Sequence, residues 1–241
     1  MQMMEAKQAQ APHAAAMVCS QDQALCGRLL RVLSHWAEEA CVELALCQTT
    51  AWMGPPKEGG ILFWDADSAP VLVPELLEDL PNTALVLLSA NKQTAIDAYR
   101  YHPAAFLRPD AGYKAVRRVM DQCFPFWRQG LKWLDLPFRR ERVRLPLCQL
   151  HCAEADGRET LLYCAGGQMR ASCPLGKLWE ELPSPPFIRC QRGFLVHLGA
   201  VQDMAGGTIV LKDDRREVAV SRQLVKDVQQ ALLLWRSARE G

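Results

Sequence analysis

The hydrophobic pattern of this 241-residue chain changes period once, between Gly130 and Phe138, and that change constrains its fold more than any other feature. Before it, short apolar runs alternate with segments of helical period. Val42–Cys47, Ile61–Trp64, Ala84–Ser89 and Ala105–Leu107 read as buried parallel strands. Stretches around 73–80, 93–101 and 111–127 read as the helices between them. Leu25, Leu29, Val32, Leu33 and Trp36 share one face of an earlier helix, with Ser20 and Gln23 spaced as a capping box. Strands alternating with helices at this spacing predict a doubly wound α/β domain.

After the change, strands crowd together. Arg142–Leu147, Glu159–Cys164, Gln168–Ser172, Phe187–Val196, Thr208–Lys212 and Glu217–Val220 are strand-like, and Gly166-Gly167 and Asp213-Asp214 read as hairpin turns. Two helices interrupt. One is opened by Pro174 and carries Leu175, Leu178, Trp179 and Leu182 on one face. The other, C-terminal, has Ser221 as its N-cap and Leu224, Val225, Val228, Leu232 and Trp235 on its inner face. The chain therefore divides into a disordered tail over 1–15, an α/β domain over 16–129, a linker over 130–136 and a mainly β domain over 137–241.

Charge follows the same division. Residues 1–129 carry 11 Lys and Arg against 14 Asp and Glu, whereas residues 130–241 carry 17 against 13. The basic excess is modest, so a nucleic-acid face must concentrate it locally. The ten cysteines include no C-x-x-C pair. With no secretory leader or membrane-spanning run, they read as reduced thiols of a cytoplasmic protein with no membrane partner. Cys148 and Cys152 invite a zinc reading, but on one strand they would stand about 13 Å apart, too far to clasp an ion. No metal or other cofactor is expected.

The densest chemistry lies in Phe187-Ile188-Arg189-Cys190-Gln191-Arg192-Gly193-Phe194-Leu195-Val196-His197, followed some thirty residues later by Val220-Ser221-Arg222. Arginine's planar fork of donors suits phosphate and the acceptor edge of guanine. These two segments resemble the markers of the LytTR DNA-binding domain, F-x-R-x-H-R-S-[FY]-[LIV]-V-N and V-S-R, in order and spacing. The resemblance covers about 137–238. It implies a mainly β fold that presents loops to double-stranded DNA, with Arg158, Arg189, Gln191, Arg192, His197 and Arg222 at the contact. Gln191 stands where the family often has His, and His197 where it has Asn. Positive neighbours can lower a thiol pKa, which gives Cys190 a redox reading beside that of a buried structural cysteine.

The α/β half resembles the receiver domain of response regulators. Ile61-Leu62-Phe63-Trp64-Asp65 matches the strand that delivers the phospho-accepting aspartate, Ser89 the family's Thr or Ser, and Arg108-Pro109 its Lys-Pro. The acidic pair expected after the first strand is replaced by Cys19-Ser20. Mg²⁺ prefers carboxylate oxygens, so Asp65 is expected to go without conventional phosphorylation. The whole chain thus resembles a LytR/AlgR-type response regulator with a degenerate receiver. Such a protein would act as a homodimer, with a sensor histidine kinase or another regulatory protein as a further partner. The alternative is a protein-interaction adaptor that does not read DNA. No constellation of an enzyme is present.

Overall fold

The structure, a computed structural model, describes residues 14–50, 60–69, 83–97, 101–139, 141–212 and 215–237. The helix expected at 73–80 and the turn at Asp213-Asp214 lie outside the described residues, as do most of the N-terminal tail and 98–100. The chain clusters into two compact units, one holding a parallel sheet and the other the antiparallel sheets. Gly27–Val42 and Asp110–Arg118 group with the second.

In the first unit, β1 (Ala14–Cys19), β2 (Leu44–Thr49), β3 (Gly60–Asp65), β4 (Thr83–Leu88) and β5 (Ala105–Leu107) form a parallel sheet in the order β2-β1-β3-β4-β5. That is a doubly wound order, with its switch point between β1 and β3. β3 is buried at every position, which is why Ile61–Trp64 reads as a continuous apolar run rather than an alternating one. Edge strand β2 alternates half-buried and exposed residues over much of its length. Helix α1 (Gln23–Glu39) follows β1, and Leu25, Leu29, Val32, Leu33 and Trp36 are all buried. Its cap is Asp22 rather than Ser20: Asp22 Oδ1 accepts from the amides of Ala24 at 2.8 Å and Leu25 at 3.1 Å. α2 (Lys92–Asp97) follows β4, and α3 (Tyr113–Gln122) and the short α4 (Phe124–Trp127) follow β5.

The second unit is built on antiparallel ladders. β6 (Trp133–Phe138) and β7 (Glu141–Pro146) form a hairpin, so most of the stretch expected as a linker is strand. Trp133-Leu134-Asp135-Leu136 alternates out and in, and the buried leucines tie it to the core. β8 (Leu150–Asp156), β9 (Glu159–Cys164), β10 (Gly167–Ala171), β11 (Phe187–Gln191) and β12 (Phe194–His197) make a sheet ordered β10-β9-β8-β12-β11. β13 (Val201–Ala205), β14 (Thr208–Leu211) and β15 (Glu217–Ala219) make a three-stranded sheet.

Both faces of the five-stranded sheet are covered. Ala153, Leu162, Phe187 and Leu195 pack with Leu134, Leu136 and helix α5 (Leu175–Glu181). Cys152, Cys190, Phe194 and Val196 pack with β14, β15 and helix α6 (Val225–Ser237). This double burial explains one departure from the sequence reading: Phe187–Val196 is a hairpin, not one strand. Phe194, Leu195, Val196 and His197 are all buried, so no alternation marks the turn. Ser221 likewise does not cap α6. A turn intervenes, with the Leu224 amide donating to the Ser221 carbonyl at 2.8 Å, and the helix starts at Val225.

Candidate nucleic-acid interface

Register places three arginine-bearing segments at one end of the five-stranded sheet. The β8–β9 hairpin turns through Gly157-Arg158, with Asp156 facing Glu159 across it. Gly157 has φ +64°, the left-handed value that a tight two-residue hairpin needs at its first position. β12 runs antiparallel to β8 with Phe194 opposite Glu154, so the β11–β12 turn, Arg192-Gly193, lies beside the β8–β9 turn. The Ala155 amide donates to the Gly193 carbonyl at 2.9 Å and joins the two.

The third segment is held by an irregularity. Arg189 faces Leu195 and Gln191 faces Phe194, so Cys190 is an extra residue in β11. The Cys190 carbonyl accepts from the Ser221 amide at 2.8 Å. This places Arg222 beside the end of β11, next to the turn that carries Arg192.

Arg158, Arg192 and Arg222 are exposed. Among the described residues, no acid forms an ion pair with any of the three. The carboxylates nearest Arg158 in sequence are taken up elsewhere. Arg170 on β10 pairs with Asp156 and, at 3.7 Å, with Glu159. Arg170 escaped the sequence reading because only the β9–β10 register, Arg170 opposite Leu161, brings it to this end.

The other motif residues are placed differently. Gln191 is half-buried. The half-buried Arg189 turns back on its own hairpin: Nη2 donates to the Arg192 carbonyl at 2.6 Å and Nε to the Gln191 carbonyl at 3.4 Å. His197 is interior, 5% exposed, packed edge-on to Phe187 with ring centroids 4.8 Å apart. Its Nδ1 accepts from the Gly199 amide at 3.0 Å. Cys190 is fully buried, and burial pushes its thiol up to about 11, against the lowering its charged neighbours suggested. Its sulfur donates to the Phe194 carbonyl at 3.4 Å, so its place is structural.

In the first unit, Asp65 and Ser89, two of the three residues expected at the receiver site, lie in one hydrogen-bonded cluster at the switch point. Asp65 ends β3 and is 3% exposed. Its Oδ2 accepts from the hydroxyls of Ser20 and Ser68, each at 2.5 Å, and its Oδ1 from the Asp67 amide at 3.1 Å. Asp67 is engaged as well, by the Ser89 hydroxyl at 2.6 Å and the Ala90 amide at 2.7 Å. Arg108 is exposed, one residue past β5. A divalent cation does not fit this donor set. Hydroxyls stand where carboxylates would be needed, and Cys19 is a buried thiol raised to about 11, mainly by burial. Among the described residues, no group of three His, Cys, Asp or Glu side chains converges anywhere that could hold a metal, Cys148 and Cys152 included. No described helix is long and apolar enough to cross a membrane.

The chain is similar to known proteins over part of its length. The family model for the LytTr DNA-binding domain matches residues 140–233. The transcriptional regulatory protein YpdB of Escherichia coli is 22% identical over 169 residues, 62% of this chain and 69% of that protein. Two solved structures are similar over part of the chain. One is the LytTr DNA-binding domain of a methyl-accepting/DNA response regulator from Bacillus cereus, 21% identical, with a TM-score of 0.37 over 43% of this chain and 98% of that one. The other is a Burkholderia pseudomallei protein described as pilus assembly-related, 22% identical, with a TM-score of 0.34 over 46% and 91%.

Proposed function

We propose that this chain, which carries a LytTr DNA-binding domain over residues 140–233, is a sequence-specific transcription regulator whose receiver-like half is not switched by conventional phosphorylation. One observation carries the reading. Three exposed arginines on three different connections meet at one end of one sheet, with no acid paired to them among the described residues. An adaptor that bound only protein would have no need of three exposed donor forks at one end of one sheet. Arg192 and Arg222 read base edges, and Arg158 positions the turn on phosphate. Gln191 adds an amide beside Arg192, able to donate and accept. His197 acts from inside, fixing the end of β12.

The receiver-like half supports regulation of another kind. Phosphoryl transfer to a carboxylate needs a cation to offset the developing charge. At Asp65 that charge would meet hydroxyls already committed to the carboxylate. Oligomerisation is then set by concentration or by a protein partner, and a homodimer on adjacent half-sites gains avidity over a single domain. The ten free thiols suit a reducing, cytoplasmic setting. Selection from a random duplex pool with the full chain tests the reading. One enriched motif is the expected result, and a bound pool with no preferred sequence would overturn it.

A further inference from the structure

The two hairpins that carry Arg158 and Arg192 are held in different ways. Two-residue hairpins favour turns with a left-handed first residue, because only these match the twist of the strands. The β8–β9 turn has one in Gly157, at φ +64°. The β11–β12 turn has none: neither Arg192 nor Gly193 adopts a positive φ. Its backbone is the splaying kind, and the extra residue at Cys190 lies in the strand that leads into it.

The missing restraint is supplied by a side chain. Arg189 lies on the strand entering the turn, and its guanidinium folds over to reach two successive carbonyls, Gln191 at 3.4 Å and Arg192 at 2.6 Å. A planar fork can hold two acceptors in one fixed geometry, which an ammonium cannot. Those donors are directed at the protein's own backbone.

Resting on the DNA-binding reading above, we propose that Arg189 is a positioning residue: it braces the Arg192-Gly193 turn and so sets where Arg192 meets the duplex, without touching DNA itself. Its effect on DNA must then pass through Arg192. Arg222 should feel it little, because that segment hangs from the backbone of Cys190 rather than from the turn.

The test compares Arg189→Met, which keeps the aliphatic stem and removes the donors, with Arg192→Ala and the double variant. All are made in the full chain and measured on the duplex selected by the wild type. Arg189→Met should weaken binding about tenfold, within the range of one good base contact. It should relax discrimination at the same base positions as Arg192→Ala and add nothing in the double variant. An undiminished effect in the Arg192→Ala background, or a salt slope lowered by about 1, would mark Arg189 as a phosphate contact and overturn the proposal. A second measurement needs no DNA. Amide exchange at Ala155, which donates to the Gly193 carbonyl, should quicken in free Arg189→Met; unchanged exchange there would also overturn it. If the wild type selects no duplex at all, the DNA-binding reading fails, and the exchange result still decides whether Arg189 braces the turn.

Discussion

The end of the parallel sheet and the end of the five-stranded antiparallel sheet both gather polar side chains, and they treat them in opposite ways. At the first, Asp65 and Asp67 are satisfied from within by Ser20, Ser68, Ser89 and two backbone amides. At the second, Asp156 and Glu159 are bound by Arg170, while Arg158, Arg192 and Arg222 are left exposed. A polar cluster whose donors and acceptors consume one another is a structural plug. A cluster of donors with no internal acceptor has its binding capacity still to spend. The difference is what the proposed division of labour rests on, a DNA-binding half with open donors and a receiver-like half whose carboxylates are already engaged.

Replacing Arg192 tests the open cluster hardest. Arg192→Ala should cost about 1–3 kcal/mol on the selected duplex and relax discrimination at one base position. An unchanged profile in a competition shift would remove Arg192 from the contact. Arg158→Ala should act differently: binding weakens evenly across sequences, and the slope of log affinity against log salt falls by about 1. A loss confined to one base position would instead make Arg158 a reader.

A smaller effect concerns the fold itself. Burial raises the thiols of Cys19, Cys123, Cys164 and Cys190 from 9.0 to about 11, and that of Cys41 to about 12. The native state therefore holds these protons more tightly than the unfolded chain does. Their contribution is complete below pH 9 and is lost as pH rises through 11. The urea midpoint should fall steadily across that window. A flat or rising midpoint would mean that the thiols ionise without opening the core.

The sequence made one half of this comparison easier to read than the other. Period alone located β2 to β5 to within about two residues, because β3 and β4 are buried along nearly their whole length and bounded by polar loops; it missed β1, whose Ala14 and Ala15 read as tail. The same double burial hid the turn in Phe187–His197, where four consecutive buried residues erase any alternation. Motif spacing found Arg189, Arg192 and His197 but not their directions. Those depend on which strand is central, on the extra residue at Cys190 and on the partner each side chain meets. Arg170 carries no motif, and only the register of β9 and β10 brings it to the site. Ser20 reads only as standing where a resemblance to receivers would place an acid; that its hydroxyl donates to Asp65 became visible once β1 and β3 were neighbours. Cys190 shows the same limit. Its neighbours in sequence left a reactive thiol open beside a buried structural cysteine, and the core around it decides for the second.

The most direct test of an open interface in one unit and an engaged receiver-like site in the other is one titration run twice. The full chain is titrated with its selected duplex, alone and after incubation with Mg²⁺ and a small-molecule phosphodonor, and the protein's mass is read from the same samples. The account predicts superimposable, salt-sensitive isotherms, an unmodified Asp65, and the same curve from Asp65→Asn. A stoichiometric, Mg²⁺-dependent aspartyl phosphate that tightened DNA binding, and vanished in Asp65→Asn, would contradict it.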